Sequence, residues 1–201
     1  MSGGARPPGR QAGAGAPAGE VRIVGGLWKR SKLAVPDRPG LRPTPDRVRV
    51  TLFNWLGQDL SGWRCLDAYA GSGALGFEAA SRGAAEVVLL ERDRRLVGVL
   101  EQARERLQAQ ALRVEQADAI GWMARCAPAR FDLVLLDPPF DAGVFDDALA
   151  AALRVVAPNG WIYLEADRPV APEFAASLGL FVHRQGRAGA VHFHLLRRVG
   201  G

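Results

Sequence analysis

Along residues 63–197 the apolar positions follow two different spacings. Leu112–Gln116 reads as a short strand, and the runs at Trp63–Asp67, Glu86–Glu91, Phe131–Leu136 and Gly160–Glu165 are mostly apolar, without the polar alternation of a half-solvated strand. Such runs predict strands buried on both faces. Between them, apolar residues recur at helical spacing over Ala74–Arg82, Asp93–Gln110, Ile120–Cys126 and Val144–Val156. Strands and helices alternating in this way build an α/β fold with a doubly wound, mostly parallel sheet. The last two runs, Leu180–Arg184 and Ala190–Arg197, turn around Gly186 and Gly189 and predict an antiparallel hairpin. Within it His192 and His194 alternate with Val191, Phe193 and Leu195, which puts both on a solvated face; His183 is likewise read as no metal ligand.

The first third of the chain has a different pattern. Val21–Val35 alternates apolar and basic positions around Gly25-Gly26, as a small β-hairpin would. Thr44 reads as an N-cap and Pro45 as the first residue of a helix through about Leu56, with Val48, Leu52, Trp55 and Leu56 on its packing face. Residues 1–19 are rich in Gly, Ala and Pro and read as a disordered tail, because such a composition buries too little surface to order itself. The expected organisation is therefore a tail at 1–19, a basic hairpin-and-helix extension at 20–58, and one domain at 59–201.

Composition narrows the picture. With 201 residues, 48% of them hydrophobic, the chain can bury one sizeable core. No apolar run approaches the roughly 18 residues of a membrane span, and the N-terminus lacks an apolar signal region, so the expectation is cytoplasmic with no membrane. Cys65 and Cys126 have no metal-ligand spacing and read as buried reduced thiols; no metal is expected. Charge is uneven: residues 1–50 carry ten basic and three acidic residues, a net +7, while residues 51–201 carry 16 and 18, a net −2. A basic arm beside a near-neutral domain suits attraction to a phosphate backbone. In the arm, Arg22, Trp28, Lys29, Arg30, Lys32, Arg42 and Arg47 are the candidate RNA contacts, Trp28 by stacking on a base and the cations by holding phosphates. Arg49 is a further candidate for RNA phosphate or cofactor, and Trp28 covering the edge of the domain is the competing account.

Two motifs carry the chemistry. Asp137-Pro138-Pro139-Phe140 follows the apolar run Phe131–Leu136, and ligands of open α/β sheets bind at such strand ends. Consecutive prolines donate no backbone hydrogen bonds, so the loop offers the Asp137 carboxylate and the Pro138 and Pro139 carbonyls as acceptors, backed by an aromatic ring. That combination suits a planar amine such as a nucleobase amino group, although a plain β-to-loop turn with a buried Phe has the same sequence. Upstream, Gly71, Gly73 and Gly76 satisfy G-x-G-x-x-G at the opening of a helix. Asp67, just before this turn, is poorly placed beside a pyrophosphate and well placed beside a cofactor carrying an ammonium and a sulfonium, as S-adenosylmethionine does. Glu91 ends the second strand where an acid accepts from ribose hydroxyls. Asp118 is either an acceptor for an adenine amino group, an N-cap, or both.

Asp67-x-x-x-Gly71-Ser72-Gly73, Glu91, Asp118 and Asp137-Pro-Pro-Phe140 occur in the order seen in Rossmann-like class I S-adenosylmethionine-dependent methyltransferases. Arg22-Ile-Val-Gly-Gly-Leu-Trp-Lys29, Gly40-Leu-Arg-Pro-Thr-Pro-Asp-Arg-Val-Arg49 and Thr51-Leu-Phe-Asn-Trp55 resemble the bacterial guanine-N2 methyltransferases of small-subunit ribosomal RNA over residues 21–198. Lys29-Arg30-Ser31-Lys32 and Val50 depart from that pattern. The resemblance implies a seven-stranded sheet closed by the antiparallel hairpin. It also implies cofactor binding by Asp67, Tyr69, Gly71, Ser72, Gly73, Gly76, Glu91, Arg92, Asp118, Ala119 and Asp137, and catalysis by Asp137, Pro138, Pro139 and Phe140. The substrate it implies is small-subunit ribosomal RNA, within a partly assembled particle, met by a monomer. Motif chemistry alone leaves adenine-N6 methylation of DNA or RNA open. A nicotinamide oxidoreductase has no use for Asp137-Pro-Pro-Phe140, and a noncatalytic RNA-binding module has none for Asp67 or Glu91.

Overall fold

A computed structural model of the chain describes residues 19–38, 41, 43–140 and 143–200. The elements run β1 (Gly19–Arg22), β2 (Lys32–Val35), α1 (Asp46–Trp55), β3 (Arg64–Asp67), α2 (Ala74–Ser81), β4 (Glu86–Glu91), α3 (Arg94–Arg106), β5 (Leu112–Gln116), α4 (Ala119–Arg125), β6 (Phe131–Leu136), α5 (Phe145–Val155), β7 (Val156–Ala166), α6 (Pro172–Ser177), β8 (Leu180–Ala188) and β9 (Val191–Arg198). β1 and β2 form an antiparallel hairpin, and the other seven strands form one sheet in the order β5-β4-β3-β6-β7-β9-β8. The five strands from β3 to β7 are parallel to their neighbours, while β9 runs antiparallel to both β7 and β8.

Each central strand is apolar because it feeds two cores. Cys65, Val87, Leu89, Leu133, Leu135 and Tyr163 join one side with α1, α2 and α3; Leu66, Val88, Leu90, Val134, Leu136 and Leu164 join the other with α4, α5 and α6. Side chains of period two therefore pack in both directions, and no strand face is left to be polar. The hairpin and α1 share the first core through Val21, Ile23, Leu33, Val48, Leu52 and Phe53, so the 20–58 extension is not separately packed. Among the described residues, no helix is long and apolar enough to cross a membrane.

Several sequence expectations need correction. His194 is buried rather than solvated: its Nε2 accepts from the Val170 amide at 3.1 Å. The alternation rule fails there because β9 is covered on both sides, Phe193 stacking on Trp55 at 5.4 Å from one and the Val170 turn closing the other. Thr44 is not the N-cap of α1. That place is taken by Pro45, and the Thr44 hydroxyl is bonded elsewhere. α3 stops at Arg106, short of Gln110, and α6 has no counterpart in the sequence reading. β7 begins at Val156, with the Pro158-Asn159-Gly160 turn surviving as an irregularity between the Phe131–Val156 and Leu133–Trp161 pairs. Gly19 pairs with Val35 inside β1, while residues 1–18 of the expected tail, and Arg42, lie outside the described residues.

Candidate active site

The strand order reverses between β3 and β6: β4 and β5 lie to one side of the pair, β7, β9 and β8 to the other. Ligands of doubly wound sheets sit in the crevice outside the carboxyl ends of the strands at such a switch point. Asp67 is the last residue of β3, and Asp137 is the first residue after β6. The two acids selected from sequence thus flank the switch point.

The glycine turn is built around Asp67. Its Oδ2 accepts from the Gly76 amide at 2.9 Å, and a Cβ on Gly76 would come within 2.1 Å of Leu89 Cδ2 and 3.0 Å of that carboxylate oxygen. Only glycine lets α2 approach β4 and the carboxylate this closely. Gly73 caps α2 with φ +78°, a backbone that β-carbon-bearing residues disfavour. Glu91, at the end of β4, accepts from the Gly71 amide at 3.0 Å and the Asp93 amide at 2.8 Å, which ties the turn to the next strand. Ser72 is buried in the turn, and Arg92 is exposed beside Glu91. Asp118 caps α4, accepting from the Gly121 amide at 2.8 Å, and Ala119 is buried behind it. The cap role is thus real, and the remaining carboxylate capacity of Asp118 still faces solvent.

Two polar atoms in this crevice lack partners. Asp67 Oδ1 and the Tyr69 hydroxyl are buried without a hydrogen-bond partner among the described residues. Orphaned buried groups of this kind cost free energy and call for an explanation, such as a ligand that supplies the missing bonds. An acceptor oxygen and a phenol at the switch point fit a cofactor with an ammonium and hydrogen-bonding edges.

A third acid joins them. Glu165, near the end of β7, is buried, and its Oε1 accepts from the Tyr163 hydroxyl and the Thr44 hydroxyl, both at 2.8 Å. Burial pushes Asp67 up to about 7, reinforced by Glu91 and Glu165 and opposed by the Gly76 amide. Burial also pushes Asp137 well above the ordinary carboxylate range, with Glu165 and then Asp67 adding repulsion. Glu165 itself is raised by burial, against the pull of its Tyr163 and Thr44 bonds. The crevice is a cluster of buried carboxyl groups short of cations, whose ionised forms a positively charged ligand would favour.

The acceptor loop borders a small recess. Pro138, Pro139 and Phe140 line a cavity of about 150 Å³ together with residues from the ends of α5 and β7. Phe140 is 47% exposed, so its ring is available to a planar partner instead of filling the core. A larger cleft of about 520 Å³, lined by Pro169–Pro172 and Val182–Gln185, contains no carboxylate and none of the motif residues. The smaller recess is the one that the Pro138-Pro139-Phe140 loop lines.

The arm separates into two groups. Arg22, Lys29, Arg30 and Arg47 are exposed, and Lys32 is exposed but paired with Glu20 at 2.6 Å. Trp28 is half-buried against the core, with its amide bonded to Ser81 Oγ at 2.9 Å, as the edge-covering account holds. Arg49 is fully buried: it bonds Glu78, Asp46 and the carbonyls of Arg22 and Thr44, and reaches neither RNA nor cofactor. The residues the sequence reading missed are Glu165 and Tyr163, and with Glu165 the bond it accepts from Thr44. Glu165 ends an apolar run just as Asp67 and Asp137 do, and that signal could have found it; the Thr44 bond, spanning 121 positions, left no local trace.

Residues 21–197 match the family model described as "Conserved hypothetical protein 95". The chain is 41% identical over 187 residues to "Ribosomal RNA small subunit methyltransferase D" of Escherichia coli K12, covering 90% of this chain and 91% of that one. The protein of the same description from Haemophilus influenzae is 42% identical over 159 residues, covering 75% and 80%. The chain belongs to the ribosomal RNA small subunit methyltransferase D family. Its fold matches the solved structure "Putative methyltransferase yhhF from Escherichia coli" with a TM-score of 0.79 at 36% identity, over 91% of this chain and all of that one. Family membership makes the chain a ribosomal RNA methyltransferase. Among the described residues, no group of His, Cys, Asp and Glu side chains is gathered to hold a metal.

Proposed function

We propose that the protein transfers the methyl group of S-adenosylmethionine to the exocyclic N2 of a guanine in small-subunit ribosomal RNA, within a partly assembled particle. The observation that carries this reading is the pairing of a carboxyl-lined crevice, unsatisfied at Asp67, with the acceptor loop at Asp137, on either side of one switch point. The relatives' descriptions as small-subunit ribosomal RNA methyltransferases support the RNA class. Guanine is favoured over adenine by the likeness of the arm to guanine-N2 enzymes.

The cofactor supplies an electrophilic methyl on a sulfonium that departs as a neutral thioether, so the protein's work is positioning. Asp67 and Tyr69 offer the unpaired acceptor and hydroxyl, Gly71, Ser72, Gly73 and Gly76 shape the turn, and Glu91, Arg92, Asp118 and Ala119 border the ribose and adenine ends. Asp137 and the Pro138 carbonyl accept the two amino hydrogens of the base, which turns the nitrogen lone pair toward the methyl group. Pro139 keeps the loop free of competing donors, and Phe140 stacks on the flipped ring. As positive charge develops on nitrogen, both acceptors bind it more strongly, and Asp137 takes the released proton. The raised position of Asp137 makes it a better base than an ordinary carboxylate.

The test is transfer of labelled methyl to small-subunit particles and to naked RNA from cells lacking this protein, with nucleoside analysis of the product. N2-methylguanosine is expected, and N6-methyladenosine would replace the substrate. Asp137→Ala should keep cofactor affinity and lose turnover by a factor of 10² or more. A matching loss of both would remove its assigned role.

A further inference from the structure

The recess beside Phe140 is closed by the chain that follows β7, through Ala166, Asp167 and Arg168. Parallel register explains the approach: Leu135 pairs with Tyr163 and Leu136 with Leu164, so β6 and β7 release their next residues at the same end of the sheet. One loop then offers only acceptors. The other offers a carboxylate and a guanidinium on exposed side chains, neither of them ion-paired among the described residues. At about 150 Å³ the recess is smaller than the roughly 300–1,000 Å³ of an ordinary ligand pocket, so it holds one planar ring system and leaves the sugar and phosphate outside.

We propose that Asp167 and Arg168 select the base: Asp167 accepts from guanine N1–H, and Arg168 donates to guanine O6. The inference rests on guanine being the target and names what reads it. Along one edge guanine presents the N2 amino group, then N1–H, then O6, which is two donor positions followed by an acceptor. Asp137 and Pro138 occupy the amino group, so the next position needs an acceptor and the one after it a donor. Asp167 and Arg168, both lining the recess, supply one acceptor and one donor. Adenine presents its amino group between two lone-pair nitrogens, so a carboxylate beside the amino group would face N1 without a proton between them. A site built to receive a hydrogen-bonding group rejects the analogue that lacks it far more strongly than an apolar pocket can. Arginine on guanine O6 is also the commonest specific base contact.

The test uses small-subunit particles reconstituted with a transcript carrying either guanine or 2-aminopurine at the methylated position. 2-Aminopurine keeps the amino group and lacks both O6 and N1–H. The unmodified enzyme should favour guanine strongly. Arg168→Ala and Asp167→Ala should each lower kcat/KM on guanine by roughly 5- to 150-fold, the discrimination of one good base contact, while turnover of 2-aminopurine stays close to its original value in Arg168→Ala and holds or rises in Asp167→Ala, which no longer opposes a carboxylate to the bare N1. Equal losses on both bases would make the two residues general RNA anchors and overturn the proposal. Full retention of the guanine preference in both variants would overturn it as well. If the unmodified enzyme instead yields N6-methyladenosine on natural particles, the guanine reading itself falls, a result distinct from either pattern among the variants.

Discussion

Asp67 is placed where stability and function pull against each other. It is buried, bonded by a single carboxylate oxygen to Gly76, and held up to about 7 by burial and by Glu91 and Glu165. A carboxyl raised on folding stabilises the native state below its ordinary value near 4, and that stability is lost as pH climbs through about 7. The loss is on the order of 4 kcal/mol. A cationic ligand reverses the preference because it favours the ionised form. Asp67→Asn keeps an oxygen for the Gly76 amide and discards the charge, so the variant should be more stable than the original protein at pH 8 and bind S-adenosylmethionine far more weakly. Affinity of the original protein should rise between pH 6 and 8, and the variant should lose most of that slope; calorimetric titration at both pH values decides, and unchanged affinity in Asp67→Asn would refute the assignment. Asp67 and Asp137 were legible because each ends an apolar run and charge there must be functional or paired. Glu165 carried the same signal. Its meaning became readable only when strand order set it beside Asp137, since β7 neighbours β6 in space but lies a helix away in sequence.

At the scale of elements, α1 is tied to α2 by a buried charge network. Glu78 is fully buried and accepts from the Val24 amide at 2.8 Å, Arg49 Nη1 at 3.2 Å and Arg82 Nε at 3.0 Å. Arg49 also reaches the carbonyl of Thr44, whose hydroxyl bonds Glu165, so the chain of bonds runs from the helix behind the glycine turn to the acid beside the acceptor loop. Arg49→Ala leaves Glu78 with a lone cationic partner and should cost about 3–5 kcal/mol, read as a lower denaturant midpoint at unchanged slope. A loss below about 1 kcal/mol would mean that the network relaxes around the vacancy. The sequence showed Arg49 only as a basic residue in a basic arm: Asp46, three positions before it, is a local partner, but the buried Glu78 that completes the network lies 29 positions away. Elements were legible wherever packing agreed with period: β4 and β6 have the predicted bounds because both faces of each are apolar, and β5, at the sheet edge, keeps its bounds with Leu112 buried and Arg113 and Gln116 exposed. α6 escaped because six residues are too few to display a helical period, and the turn inside β7 was read as the start of a strand because its proline and glycine outweighed Val156.

Taken as a whole molecule, the chain keeps its cations and its acids apart. Residues 1–50 hold a net +7 and the rest a net −2, while Asp67, Asp137 and Glu165 gather carboxyl groups at the switch point. A cluster of carboxyl groups offers a phosphate backbone no cation, so RNA affinity must come from cations outside it, and only the target base should enter. Arg49 is spent internally and Lys32 is partly neutralised by Glu20, which leaves Arg22, Lys29, Arg30 and Arg47 as exposed arm cations without an ion-pair partner among the described residues. Each phosphate contact contributes about 0.7–0.9 to the slope of log affinity against log salt. Changing Lys29, Arg30 and Arg47 together to Ala should therefore flatten that slope by roughly 2–3 in filter binding of ribosomal RNA, with S-adenosylmethionine affinity unchanged. Changing Lys32 alone should move the slope by less than a full contact, because removing it also releases Glu20. An unaltered slope in the triple variant would move the RNA surface off the arm, and an altered cofactor affinity would mean that the hairpin and α1 act on the crevice through the first core instead of through phosphate attraction.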